Sequence, residues 1–404
     1  IEGLPLHPWR DTISSLFKDS SINVRKRILN LAWDEQDIIS NSELIEAIKK
    51  KDDVSAEAII ISGKRKLSEI QNDLEKLLDN ESQELRAAAA AAIIDIDAGS
   101  QDKAKTILNN ALESDDEQTK ANAIKRLEGN NDILPESKLI QFLETESPLV
   151  SNTSLEIAEI RAGDNLISGI VSNLSNHKTL IQARQTLKKY SDDTIIDHFE
   201  KLLLKDDLNR SLRLGIIKTL REYSSVELLM KQLNHTDQDI YNEVVDSLLV
   251  CARTTDLSEK ELHAISSEIQ KIAKKLYTMN ECKKLLPDDE NQTLMVDHLN
   301  NEIQNTLPSL LKLGVMRKPN TPIETYIQII KSGDPAKLPF LLEFFENIFN
   351  KTQRSIINPL IEEIPIAERS EIGSTHFNDL PSKLDEELSS FLHSPNKWES
   401  IISL

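Results

Sequence analysis

The stretch Arg86–Gly99 reads RAAAAAAIIDIDAG, six consecutive alanines followed by two isoleucines. Alanine combines the highest helix propensity with a very small side chain. The stretch therefore predicts a helix. Either this helix only fills space, or its backbone lies very close to neighbouring helices. The choice between these two interpretations depends on whether the pattern recurs along the chain.

The pattern recurs at roughly 31 residues, a period typical of helical repeat proteins. Each copy has an apolar helix, a turn rich in Asp, Ser and Asn, and a second apolar helix, as in LFKDSSINVRKRILNL (Leu16–Leu31) and LLKDDLNRSLRLGIIKTL (Leu203–Leu220). One helical hairpin cannot bury both of its faces, so such units must stack, and small alanine side chains would let neighbours approach closely. The copies align at one repeat position, which is occupied by Arg25, Ser55, Arg86, Lys120, Ser151, Gln182, Arg213 and Tyr241.

Two local signals share this period. Glycines follow the second helix of four units, where we expect them to adopt the left-handed conformation that ends a helix: Gly63, Gly99, Gly129 and Gly163. Polar turns at Tyr190 and Tyr223 replace the glycine in later units. The turn residues before the second helices are expected to cap those helices: Ser20, Asp79, Asp115, Asp116, Asp206, Asp207 and Asp237.

From about Pro8 to Val250 the sequence resembles the HEAT family of α-solenoids. The predicted fold is therefore all-α, a HEAT-like α-solenoid (α-α superhelix) of about eight helix pairs over residues 1–250. The resemblance also implies a ladder between successive repeats, in which a turn Asp pairs with a basic residue at the repeat position. Matching pairs are Asp19 and Arg25, Asp79 and Arg86, Asp115 and Lys120, and Asp207 and Arg213, whereas Ser55, Ser151, Gln182 and Tyr241 lack the basic group.

The period fails after Val250. Two helices longer than those of the repeats are predicted to meet at Pro287, with shorter helices beyond them. We expect residues 251–381 to form an irregular helical subdomain that interrupts the solenoid and covers its apolar end SLLVCA (Ser247–Ala252). Within it, Ser370–Glu387 is the best candidate for a loop. Residues 382–404 restart the repeat and stop inside its second helix, which indicates a region cut from a longer protein.

The second half is also similar to a narrower group. A long helix with the pattern LMVDHLNNEIQNTLPSLLKL (Leu294–Leu313), followed by shorter helices and a repeat that opens on Trp398, resembles a linking region of certain bacterial membrane proteins. In that family a domain similar to nucleotide translocases or major-facilitator carriers precedes HEAT repeats and a cyclic-nucleotide-binding domain. The resemblance implies a cytoplasmic location, with the membrane reached only through a flanking domain.

Composition argues against several functions. The formal charge of −19 disfavours binding to nucleic acid or to an anionic membrane, since both depend on Lys and Arg neutralising phosphates. Aromatic residues make up only 4% of the chain, and no apolar run approaches the roughly 20 residues that span a bilayer. The two cysteines, Cys251 and Cys282, lie far apart in helical patterns and are interpreted as buried thiols.

Motifs of common enzymes are absent from the sequence. His198-Phe199-Glu200 matches part of a deaminase pattern but has no downstream PCxxC. The acidic clusters Asp115–Glu117 and Asp288–Glu290 are interpreted as helix starts or solvated residues. The three tryptophans, Trp9, Trp33 and Trp398, are interpreted as packing anchors. We therefore predict no catalytic, cofactor-binding or metal-binding residues, and no cofactor.

The sequence favours a non-catalytic scaffold or regulatory region that binds a protein partner or the flanking domains of its own polypeptide, and no nucleic acid. The leading hypothesis is the cytoplasmic part of a membrane transporter-like protein, coupling it to a sensor domain or partner. One alternative is a free-standing HEAT-repeat adaptor. Another is a HEAT-like enzyme, either a lyase or a DNA glycosylase, of which the glycosylase would need a basic groove.

Overall fold

A computed structural model describes residues 10–34, 38–50, 54–97, 99–286 and 293–381. Within these ranges the chain is helical and contains no strand, so the predicted all-α class is confirmed. The chain divides into two compact units, Ile1–Ser191 and Asp192–Leu404. The break in period predicted near residue 250 falls inside the second unit.

The first unit contains helices α1 to α12. Their bounds are α1 (Arg10–Ser15), α2 (Ile22–Asp34), α3 (Asn41–Lys50), α4 (Ser55–Lys64), α5 (Gln71–Leu77), α6 (Gln83–Ile96), α7 (Gln101–Leu112), α8 (Glu117–Arg126), α9 (Glu136–Leu143), α10 (Pro148–Arg161), α11 (Ile167–Ser172) and α12 (Leu180–Leu187).

The second unit contains helices α13 to α22. Their bounds are α13 (Asp192–Leu203), α14 (Arg210–Leu220), α15 (Val226–Lys231), α16 (Gln238–Thr254), α17 (Glu259–Leu285), α18 (Thr293–Gly314), α19 (Ile323–Ser332), α20 (Leu338–Ile348), α21 (Lys351–Ile361) and α22 (Ile366–His376).

The repeat seen in the sequence coincides with these helix starts. The even-numbered helices α2 to α16, here called the second helices, carry the aligned repeat position in their first turn. In six of the eight it is the fourth residue of the helix: Arg25, Arg86, Lys120, Ser151, Arg213 and Tyr241. The period therefore records a recurring helix register.

Helices contact one another in a regular order within the first unit. Helices α3, α5, α7, α9 and α11 each pack on the second helix that follows them. The second helices also contact in series, α2 with α4, α4 with α6, α6 with α8, α8 with α10, and α10 with α12. An even-numbered helix inside the series therefore contacts the odd-numbered helix of its own hairpin. It also contacts the even-numbered helices of the preceding and the following hairpin.

The alanine helix α6 is among the most closely packed elements of the first unit. Each alanine from Ala87 to Ala92 is at most 2% exposed, since α4, α5, α7 and α8 all contact this helix. A Cβ atom placed on Gly63 of α4 would lie only 2.6 Å from the Cα atom of Ala92. Small residues on both helices therefore permit this approach of two backbones, which is the reason for the alanine-rich sequence.

The prediction that four glycines end helices in the left-handed conformation is wrong. Left-handed residues in the described ranges are instead Lys66, Asp97, Ala162, Ser224 and Gly333. The physical requirement at Gly63 is space, because a Cβ there would meet the backbone of Ala92. A Cβ on Gly163 would meet only the end of the Glu136 side chain, which can move away.

Capping of the second helices follows the predicted chemistry, with some changes of residue. Asp116 accepts a hydrogen bond from the Thr119 N–H at 2.7 Å, and Asp237 accepts from the Asp239 and Ile240 N–H groups. The cap of α6 is Ser82 rather than Asp79, and the cap of α14 is Asn209 rather than Asp206 or Asp207. Side-chain oxygens satisfy N–H groups that lack partners in the first turn.

Helices α17 and α18, of 27 and 22 residues, are the longest in the described ranges. They pack on each other, and α16 contacts α18. Leu248 and Leu249 of the apolar end are buried, while Val250 is half-buried. The Tyr241 hydroxyl donates to a Glu268 carboxylate oxygen of α17, and Ser309 of α18 hydrogen-bonds to Asn242. No helix in the described part of the chain combines the length and apolarity needed to cross a membrane.

The predicted loop Ser370–Glu387 is wrong in its first part, because α22 continues to His376. Tertiary contacts stabilise this helix on α17. Gly373 lies against the ring of Tyr277, and the Lys284 ammonium donates to the Ser370 hydroxyl at 2.6 Å. Ser370 also donates to the buried carboxylate of Glu281. The rest of that stretch after Pro381 lies outside the described residues, as do residues 287–292.

We expect Gly63→Ala to lower the free energy of unfolding by about 1–2 kcal/mol. Overpacking against the backbone of Ala92 is expected to cost roughly 2–3 kcal/mol, which outweighs the gain of about 1 kcal/mol in helix propensity. Gly129→Ala is the control, because a Cβ there meets no atom within 4 Å. Urea denaturation measures both variants. Equal stability of the two would contradict the close approach of α4 and α6.

Candidate functional site

Residues that the sequence singled out for possible chemistry do not converge. His198 lies on α13, where burial lowers the pKa of its imidazole, and nearby Glu200 pairs with Lys231 at 2.8 Å. Cys251 and Cys282 are both buried. Burial raises the pKa of the Cys251 thiol to about 11, so this thiol is protonated at neutral pH.

No group of three or more His, Cys, Asp or Glu side chains in the described ranges is arranged to hold a metal ion. Asp115–Glu117 stands at the start of α8, where Asp116 is the cap. The other acidic cluster, Asp288–Glu290, lies outside the described residues. So do Trp9, Trp398 and the side chain of Trp33.

Side chains at the repeat position donate hydrogen bonds to main-chain carbonyls at the end of the preceding helix or in the turn that follows it. The Arg86 guanidinium donates to the carbonyl oxygens of Asn80 and Glu81, at 2.6 and 3.0 Å. The buried Arg213 donates to the carbonyls of Leu203 and Lys205, at 3.0 and 2.7 Å. The Leu203 carbonyl belongs to the last turn of α13 and lacks a donor within that helix, whereas the carbonyls of Asn80, Glu81 and Lys205 lie in the turns that follow α5 and α13.

Serine performs the same task where arginine is missing. The Ser55 hydroxyl donates to the Ala47 carbonyl at 3.0 Å, and the Ser151 hydroxyl donates to the Thr145 carbonyl at 3.1 Å. Both serines are only 1% exposed. The short serine side chain can reach these carbonyls because it lies directly against the end of the preceding helix.

The Asp–Arg ladder implied by the HEAT resemblance is wrong for the pairs at Arg86 and Arg213. Both guanidinium groups bind main-chain carbonyls of their own hairpin. Asp79 pairs instead with Lys103 of α7, at 2.6 Å. At four of the eight repeat positions the side chain closes its own hairpin by donating to main-chain carbonyls: Ser55, Arg86, Ser151 and Arg213. Gln182 and Tyr241 donate instead to the carboxylates of Glu159 and Glu268.

A second set of arginines was missed by sequence reasoning. Arg161 at the end of α10 donates to the carbonyls of Leu127, Glu128 and Leu134 at 2.6–3.0 Å. Arg65, just after α4, donates to the Ile39 carbonyl at 2.7 Å. Each ties the end of one second helix to the connection that precedes its own hairpin. The signal available in the sequence was a basic residue at the C-terminal end of a second helix.

Charged side chains also meet at the end of the alanine helix. The Lys64 ammonium of α4 pairs with the Glu128 carboxylate, which follows α8, at 3.1 Å. Asp95 of α6 lies close to both. Burial raises the pKa of Asp95 to about 6, while Lys64 and Lys66 partly oppose this shift and Glu128 adds to it.

In the second unit, helices α18 and α19 line a partly open, mainly apolar pocket of about 150 Å³, here called the α18–α19 pocket. Gln304 and Lys331 are its polar lining residues. Pro308 lies inside α18 and has no N–H, so the Gln304 carbonyl loses its usual helical donor. The remaining lining residues are Leu307, Pro308, Leu311, Ile327, Ile330 and Gly333.

A large aromatic side chain is exposed on α20 in the same unit. Phe340 is 72% exposed, whereas Leu341 and Phe345 of the same helix are buried. Phe344, one turn after Phe340, stacks on Tyr326 of α19 with ring centroids 3.6 Å apart. The available signal was LPFLLEFFENIF (Leu338–Phe349), which has more apolar residues than one helix face can bury.

Comparisons with known proteins provide no family for this chain. No protein-family model matches it, and no curated protein does. Among solved structures, the crystal structure of an engineered protein matches with 18% identity, covering 61% of this chain and 98% of that one, at a TM-score of 0.19. A TM-score this low carries no argument about fold or function.

We expect Asp95→Asn to stabilise the protein at pH 7–8 and to have little effect below pH 4. The carboxyl pKa is raised from 3.8 to about 6 on folding, so the folded state binds the proton more tightly. Stability is therefore lost as pH rises from about 4 to about 6. Because the side chain is half-buried and screened, the gain is roughly 1–2 kcal/mol.

Thermal and urea unfolding across pH 3–8 measure this effect, with the exposed Asp132→Asn as control. A constant difference between Asp95→Asn and the unmodified protein at all pH values would show that the Asp95 carboxyl does not titrate as described.

Proposed function

We propose that the chain is a HEAT-like α-solenoid that serves as a non-catalytic scaffold or regulatory protein-interaction region. The observation that carries this proposal is the serial contact of second helices α2 to α12, combined with the helix register that recurs in six of the eight repeats. Proteins that stack helical hairpins in this way build extended surfaces, which commonly bind other proteins. Donors at Arg86, Ser151 and Arg213 support the proposal, since they close successive hairpins in one manner.

The parent protein is proposed to be a bacterial membrane transporter-like protein, with this region on the cytoplasmic side. The support is the sequence resemblance of the second half, together with the two long helices α17 and α18 where the period breaks. In this arrangement the region couples the membrane domain to a sensor domain or to a partner protein.

Cell fractionation tests this placement. The full-length natural gene product, detected with an antibody against residues 1–404, is expected in the membrane fraction and should resist extraction at alkaline pH. Residues 1–404 produced alone are the control and should stay in the supernatant. Full-length protein in the supernatant would contradict the membrane link and favour the free-standing HEAT adaptor.

Duplex DNA and RNA are expected to bind only in the non-specific range, with Kd of about 10⁻⁴–10⁻⁶ M at physiological salt. The reason is the formal charge of −19, which repels phosphates. Fluorescence anisotropy over a salt series measures the affinity. A nanomolar Kd with a steep salt dependence would favour the DNA glycosylase alternative instead.

A further inference from the structure

A charged pair joins helices α4 and α8 across the alanine helix α6, which lies between them in the series. The Lys64 ammonium at the end of α4 pairs with the carboxylate of Glu128, just after α8, at 3.1 Å. The two residues are 64 positions apart in sequence, so this pair, here called the α4–α8 bridge, skips the hairpin of α6. The small, buried side chains of α6 allow this approach. The bridge therefore constrains the spacing of two hairpins that are not neighbours in the series.

Arg126 makes a second charged contact from α8. Its side chain is only 7% exposed and pairs with Glu84 of α6 at 3.9 Å. Burial lowers the pKa of this guanidinium, while the carboxylates of Glu84 and of Glu57 on α4 oppose the shift. Helix α8 thus meets charges of both preceding second helices, which supports a close approach of α4, α6 and α8.

Asp95, near the C-terminal end of α6, lies beside the α4–α8 bridge. Its Oδ2 atom is 3.4 Å from the point that a Cβ on Gly63 would occupy, so this carboxyl group faces the residue next to Lys64. The charges that act on Asp95 are the ammonium groups of Lys64 and Lys66 and the carboxylate of Glu128. Lys64 therefore has two carboxyl groups within its surroundings, one on α6 and one after α8.

Other charged side chains around this end of α6 have partners of their own. Arg65, the residue after α4, donates to the Ile39 carbonyl at 2.7 Å. Asp97, the residue after α6, accepts a hydrogen bond from the side-chain amide of Gln101 on α7. The competition at the bridge thus does not include these two charged groups.

The protonation state of Asp95 decides which carboxyl group holds the lysine. A neutral Asp95 leaves Lys64 to Glu128, which is the arrangement in this structure. An ionised Asp95 attracts Lys64 and repels Glu128, and both effects are stronger where water is partly excluded. Burial raises the pKa of Asp95 to about 6, so the exchange falls between about pH 5 and pH 7.

We propose that the α4–α8 bridge is a proton-controlled clamp, which holds α4 to α8 while Asp95 is protonated and opens when ionised Asp95 takes Lys64 from Glu128. Arg161 of α10 donates to the main-chain carbonyl of Glu128 at 3.0 Å, so a movement of Glu128 is transmitted to the next hairpin. Opening of the clamp therefore changes the spacing of successive hairpins. The inference goes beyond the proposed function and does not depend on what the array binds.

Double-mutant cycles test the clamp. The unfolding equilibrium constant in urea is measured at pH 5 and pH 8 for Lys64→Met, Glu128→Gln and the double variant. The coupling is the factor by which the double variant departs from the product of the single-variant effects. The same cycle is repeated in the Asp95→Asn background. Lys26→Met with Glu57→Gln is the matched control, because this pair also joins two second helices, at 3.0 Å and with similar exposure.

The coupling between Lys64 and Glu128 is expected to be roughly threefold at pH 5 and to vanish at pH 8. In the Asp95→Asn background it should stay near its pH 5 value at both pH values, because the competing carboxylate is absent. The coupling between Lys26 and Glu57 should not change between pH 5 and pH 8. Circular dichroism checks that each variant is folded.

Distances between spin labels measure the movement of the hairpins. The labels are attached at Lys49→Cys on α3 and Thr106→Cys on α7, which are exposed positions of the two bridged hairpins. Native Cys251 and Cys282 are buried and are expected to stay unlabelled. The distance should lengthen from pH 5 to pH 8 in the otherwise unmodified protein and should not depend on pH in Asp95→Asn.

The proposal is overturned if the coupling between Lys64 and Glu128 is equal at the two pH values, if Asp95→Asn keeps the pH dependence, or if the label distance does not change with pH. A similar fall of the coupling between Lys26 and Glu57 also overturns it, because the cause would then be a general effect of pH. None of these measurements involves a partner or a membrane, so failure of the clamp leaves the proposed scaffold function untouched.

Discussion

Side-chain hydrogen bonds to main-chain carbonyls, at helix ends and in the connections between helices, are the interaction on which this structure depends. A fold built from many short helices brings many helix ends into its interior, and the last four carbonyls of each helix lack donors within the helix. An unpaired buried carbonyl costs free energy comparable to a lost hydrogen bond. Arg86, Ser151 and Arg213 supply donors within hairpins, and Arg161 supplies them between hairpins. In the second unit Arg369 does the same for the Pro359 and Glu362 carbonyls, both at 2.7 Å.

The sequence was sufficient to predict the helical class and the helix register, because periodic apolar residues and capping turns are local signals. It was also sufficient to predict that the alanine helix is buried. It did not predict why Gly63 is a glycine, since the reason is Ala92 on another helix. The extension of α22 through Gly373 was missed for the same reason, because contacts with Tyr277 and Glu281 stabilise it.

Less of the candidate site could be predicted. The apolar segment around Phe340 is visible in the sequence, but which of its side chains remains exposed depends on how α19 and α20 meet. The α18–α19 pocket likewise depends on the packing of residues from two helices. The expected Asp–Arg pairs at Arg86 and Arg213 failed for a different reason, since each guanidinium group binds main-chain carbonyls of its own hairpin. Charge complementarity in a sequence does not distinguish these two kinds of partner.

The exchange of Ser for Arg at the repeat position has a consequence for how such a protein diverges. A hydroxyl at Ser55 or Ser151 and a guanidinium at Arg86 or Arg213 satisfy the same kind of carbonyl, although the side chains share neither size nor charge. What must be retained at this position is a donor in the first turn of the helix, and not a particular residue. Repeats can therefore lose their resemblance in sequence while the hairpins keep their geometry, so residue identity between repeats underestimates their structural likeness.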